Sequence, residues 1–76
     1  MLAKDVPLGV FAFSSDGLQI GRVVSTADHE VWIELGGETV RLAEEDLEGV
    51  TTGELALRID ARTVDTRPHN LSDARR

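Results

Sequence analysis

In Glu30-Val-Trp-Ile-Glu-Leu35 the aliphatic residues fall on alternate positions, so Val31, Ile33 and Leu35 share one face and Trp32 and Glu34 the other. That is the period of an extended strand with one buried face, and no helix of 3.6 residues per turn can use it. Gly36-Gly37 follows, a dipeptide suited to the left-handed conformations of a tight hairpin turn. Beyond it, Glu38-Thr-Val-Arg-Leu-Ala43 alternates again through Val40 and Leu42. These residues predict a hairpin.

The same period extends along the chain. Val10-Phe-Ala-Phe13 and Leu18-Gln-Ile-Gly-Arg-Val-Val-Ser25 flank Ser14-Ser15-Asp16-Gly17, which predicts a second hairpin turning at Asp16-Gly17. Val23 and Val24 break the alternation, and Gly21 marks the expected bulge. Leu55, Leu57 and Ile59 alternate in a last strand. Between Leu42 and Gly49 the acidic run predicts one helical turn ended by Gly49. The pattern predicts an all-β fold: a small SH3-like barrel of five to six antiparallel strands with one short helical turn. Its expected core is Ile20, Val31, Ile33, Leu35, Val40, Leu42, Leu55, Leu57 and Ile59.

A chain of 76 residues holds one domain, here residues 1–62, with residues 63–76 expected to form a flexible basic tail. The charge divides the same way. Residues 1–60 carry four cations against twelve acids, a net of −8, whereas residues 61–76 carry four Arg against Asp65 and Asp73, for a total of −6. So acidic a domain opposes binding to a phosphate backbone. Met1 to Phe13 has a lone Lys and an apolar stretch broken by Asp5, Pro7 and Gly9, unlike a secretory signal, and no apolar window approaches a membrane span. A cytoplasmic location and no membrane insertion are expected. With no cysteine for disulfides or a thiolate zinc site, association is the expected support for so small a core.

Candidate chemistry is sparse. There are two His, no Cys and no Tyr; His29 falls in a turn and His69 in the tail, which supplies no acid–base or nucleophile–base pair. No enzymatic activity, cofactor or metal is expected. Glu44, Glu45, Asp46 and Glu48 read as a solvated acidic face or a docking surface for a basic partner, since they lack the spacing of a calcium loop. Trp32 is either covered by the tail or helical turn, or is an interface anchor. Phe11 and Phe13 oppose Val10 and Ala12 on the first strand, so both of its faces are apolar. Arg62, Arg67, Arg75 and Arg76 read as part of a solubilising tail.

The run Ser15-Asp-Gly-Leu-Gln-Ile-Gly-Arg-Val-Val24, with Val-Trp-Ile-Glu-Leu, Gly-Gly and Leu-Ala-Glu-Glu-Asp-Leu, resembles the PRC-barrel superfamily over about residues 8–60. Ala43 stands where that family often has Pro. The resemblance implies an adaptor fold without catalytic residues. Two functions follow as expectations: a non-enzymatic protein-interaction module, homodimeric and with an unknown protein partner, or a nucleic-acid- or ribosome-associated small barrel.

Overall fold

A computed structural model describes residues 1–69. Six strands follow one another: β1 (Phe11–Phe13), β2 (Gln19–Thr26), β3 (Glu30–Leu35), β4 (Glu38–Ala43), β5 (Leu47–Thr51) and β6 (Glu54–Leu57). Their order across the single sheet is β4-β3-β2-β1-β6-β5. The fold is all-β and barrel-like.

The connection between the two outermost strands dictates the curl. In a flat sheet, five spacings of about 4.8 Å would hold β4 and β5 about 24 Å apart. The 3₁₀ turn Glu44–Asp46 is all that links them, and the four-residue step from Ala43 to Leu47 reaches at most about 14 Å. The sheet must bend until its edges approach. No ladder joins those edges among the described residues, so the result is a half-barrel with a seam.

One ladder departs from the antiparallel expectation. β1 runs parallel to β6, with Phe11, Ala12 and Phe13 opposite Glu54, Leu55 and Ala56, because the first and last strands meet only after the chain has passed through the other four. A second correction concerns residues 47–51. They form a strand and not the end of a helical turn; Gly49 pairs with Ala56 inside β5 and ends no helix. Leu47 is buried there, and Gly53, at φ 73°, makes the turn into β6.

β2 is irregular at two places. Against β1, Ala12 pairs with Gly21 and Phe13 with Gln19, so Ile20 is an extra residue beside the glycine expected to mark a bulge. Against β3 there is a second shift. Val23 pairs with Ile33 and Ser25 with Trp32, which leaves Val24 as the extra residue. Val23 therefore points inward while Val24 turns outward, accounting for two adjacent valines in one strand. Gly21 has a further role: a Cβ there would meet the Glu34 carbonyl oxygen at 2.4 Å, so the residue permits close approach of β3. At the hairpin between β3 and β4, Gly36 and Gly37 both have positive φ, 60° and 86°. Gly17 (φ 87°) does the same beside Asp16.

The core comprises Ile20, Val31, Ile33, Val40, Leu42, Leu55 and Leu57, joined by Ala3, Val6, Ala12, Val23, Leu47 and Val64. Leu35 and Ile59 only flank it, half-buried. Val64 belongs to the helix α1 (Ala61–Val64), whose first turn is capped by the Asp60 carboxylate accepting from the Thr63 N–H at 2.8 Å. This corrects the expectation of a free tail from residue 63: residues 63–69 pack on the barrel, while 70–76 lie outside the described residues. The burial of one aliphatic residue in the core offsets part of the ordering entropy of this short segment.

Truncating Ile33 to Ala should cost about 2–5 kcal/mol, read as a shift in urea midpoint. Val64→Asp should destabilise the fold strongly by burying a charge. A Val64→Asp protein with an unchanged midpoint would show that the helix does not seat in the core.

Candidate functional site

Two regions hold the residues singled out from the sequence. The first is the convex face of the sheet. Phe11 pairs directly with Arg22, and Arg22 with Glu34, so these side chains share that face. Phe11 is 40% exposed, and the Arg22 guanidinium carbon lies 5.5 Å from its ring centroid, within cation–π range. Phe13, on the same face, is half-buried. Two strands from Phe11, Trp32 is half-buried and lines a shallow depression with Val24, Ser25 and Thr39. The Val24 bulge contributes here too, because its side chain, 44% exposed, turns to the outside. Phe11, Val24 and Trp32 thus make a discontinuous apolar surface crossed by Arg22 and bordered by Glu34.

The second region is the acidic turn Glu44–Asp46, whose three carboxylates have separate fates. Glu45 is exposed. Glu44 accepts the Ala3 N–H at 2.7 Å and has His29 Nδ1 at 3.4 Å from its other oxygen. The Ala3 bond chiefly holds its carboxyl below the ordinary range. Asp46 is buried and takes both oxygens' worth of a guanidinium: Arg67 Nε donates to Oδ2 and Nη2 to Oδ1, each at 2.9 Å. The Ala43 N–H adds a bond at 3.1 Å to Oδ2. Burial pushes this carboxyl up, but the Arg67 and Ala43 bonds and the guanidinium charge outweigh it and leave it below its usual range. Asp46 is a clasp for the chain's own C-terminal segment, which corrects its reading as a solvated face, and Arg67 is no part of a free tail.

The clasp brings that segment onto the edge of β4. Pro68 carbonyl accepts the Arg41 N–H at 2.9 Å, and His69 bridges Val40 antiparallel; His69 Nδ1 also meets Glu38 Oε1. Arg41 and Ala43 are two apart on one strand, so their N–H groups point to the same edge, where Pro68 satisfies one and Asp46 the other. Sequence reasoning missed this pairing of residues 21 apart, since no local period connects them. Asp16 is likewise structural, accepting from Ser14 Oγ and, at 3.3 Å, from the Ala61 N–H. Among the described residues, no three His, Cys, Asp or Glu cluster as a metal would need, and no helix is long and apolar enough to cross a membrane.

Arg67→Ala should destabilise the protein by about 2–3 kcal/mol, less than the roughly 3–5 kcal/mol of a fully buried pair, because Arg67 keeps 31% of its side chain exposed. Arg67→Lys should recover only part of the loss, since an ammonium cannot make the fork. Asp46 and Glu44 titrate lower in the fold than in the unfolded chain. Their stabilisation is therefore complete well above pH 4 and is lost as pH falls through the unfolded value, about 4, to the lower native ones. Urea midpoints against pH should show this acid limb, and Asp46→Asn should flatten it. A limb identical in the variant would assign acid sensitivity to other carboxylates.

Compared with known protein families, curated proteins and solved structures, the chain matches none.

Proposed function

We propose that the protein is a non-enzymatic interaction module, an adaptor of the PRC-barrel kind acting in the cytoplasm, which self-associates through the convex face of its sheet. The observation that carries this reading is the shared outward placement of Phe11, Val24 and Trp32. Aromatic side chains are the usual anchors of protein interfaces, and a domain of this size gains stability by burying such a surface in a two-fold pair. Arg22 and Glu34 lie beside one another on that face, so a two-fold operation can set each against its opposite on the second copy.

The electrostatics favour a protein partner over nucleic acid. Arg41, Arg58 and Arg67 lie 3.8, 3.7 and 2.9 Å from carboxylates of Glu30, Glu48 and Asp46. These cations are engaged within an acidic molecule and present no basic face to phosphates.

Sedimentation at high micromolar concentration should give a dimer, and Trp32→Glu should shift it to monomer while far-UV circular dichroism keeps its β character. A monomeric wild type would overturn the self-association.

A further inference from the structure

The groove beside the β4 edge and the Glu44–Asp46 turn holds a segment of the protein's own chain, residues 67–69. Three recognition elements are visible in the segment it holds. Asp46 takes the Arg67 guanidinium in a two-bond fork. The Arg41 N–H takes a main-chain carbonyl from Pro68. Val40 aligns with His69 as one strand with another. The groove thus holds an arginine followed, two residues on, by a single strand-like bridge, with the fork fixing register and the β4 edge pairing main chain.

The segment is held differently from the helix before it. Val64 is buried in the core, whereas Asp65, Thr66, Pro68 and His69 are exposed. Release of residues 65–69 would break polar bonds while leaving the apolar anchor seated. It would also uncover the Arg41 N–H and the buried Asp46 carboxylate, two groups that are costly to leave unpaired and ready to be satisfied again. His29, the Glu30–Arg41 ion pair and the exposed Glu45 border the groove beside Arg67 and Pro68, so Glu45 and the buried Asp46 are the carboxylates that meet a basic arrival.

We propose that this groove is a docking site for an extended, arginine-bearing segment of a protein partner, which enters by displacing residues 67–69. The chain's own segment acts as a resident competitor. Being tethered, it faces the groove at a high effective concentration, and a partner's apparent affinity falls by the fraction of molecules in which the groove is open. This site is separate from the convex face, and its occupation does not require the protein to be a dimer.

The probe is a synthetic peptide carrying residues 65–71, Asp-Thr-Arg-Pro-His-Asn-Leu, titrated into the full chain and into its Arg67→Ala variant. The variant should bind the peptide at least about tenfold more tightly than the wild type, by the open-fraction argument. The same peptide with Ala in place of its Arg should not bind either protein. A folded Arg67→Ala variant that ignores the peptide, or binds the Ala peptide equally, overturns the proposal. If Arg67→Ala does not fold, the wild type decides by nuclear magnetic resonance. Millimolar peptide should move the Arg41 and Ala43 amide signals in a saturable, arginine-dependent way, and unmoved signals overturn the proposal. Sedimentation of the same samples reads self-association separately, so a monomer that binds the peptide refutes the convex-face dimer and leaves the groove standing.

Discussion

The guanidinium of Arg67 lying across the carboxylate of Asp46 closes a sheet that its own ladders leave open. A six-stranded sheet of this order has two free edges, and the three-residue turn between β4 and β5 forces them toward each other without giving them a ladder. Something must fill the seam. Asp46 does so from one side: its carbonyl accepts the Arg58 N–H at 2.8 Å after β6, and its carboxylate accepts Ala43 and Arg67. One residue thus ties the end of β4, the end of β6 and the C-terminal segment. Burying a carboxylate is unfavourable unless its lone pairs are matched, and here they are.

The same arrangement answers the hazard of an exposed strand edge. Edges with free N–H and C=O groups recruit other strands, and proteins cover or blunt them. Here Pro68 and His69 lie on β4, and proline offers no N–H for a further strand to use. On the same acidic turn the Ala3 N–H is fixed on Glu44, and Ala3 and Val6 are buried. Charged groups of the acidic turn therefore hold both the Ala3 backbone and Arg67, while Phe11 on the convex face stays exposed.

What could be read in the sequence follows from how local its cause is. Val31, Ile33, Val40 and Leu42 announce themselves because alternation and the Gly36-Gly37 turn lie within 14 residues of one another. The Val23–Val24 break in period and Gly21 each mark an irregularity, one in the ladder to β3 and the other, beside Gly21, in the ladder to β1. Leu47 was hidden by its acidic neighbours, whose composition suits a helical turn, although Thr52-Gly53 was a turn signal for the hairpin that follows. Parity alone sets Trp32 opposite Val31, Ile33 and Leu35, but with both faces of the first strand apolar it cannot say whether Phe11 and Phe13 or Val10 and Ala12 turn inward; Ala12 is buried and Phe11 exposed. Val64 and Arg67 could not be placed at all, because a single aliphatic residue and a single cation in a polar stretch have no period; their roles come from tertiary partners.

A double-mutant cycle on Asp46 and Arg67, followed by urea unfolding of the Asp46→Ala, Arg67→Ala and doubly substituted proteins, tests the clasp most directly. If the pair closes the seam, the double variant should lose little more stability than either single one, giving a coupling of about 1.5–3 kcal/mol. Losses that add within about 0.5 kcal/mol would contradict the account and show that the C-terminal segment is held by something other than this pair.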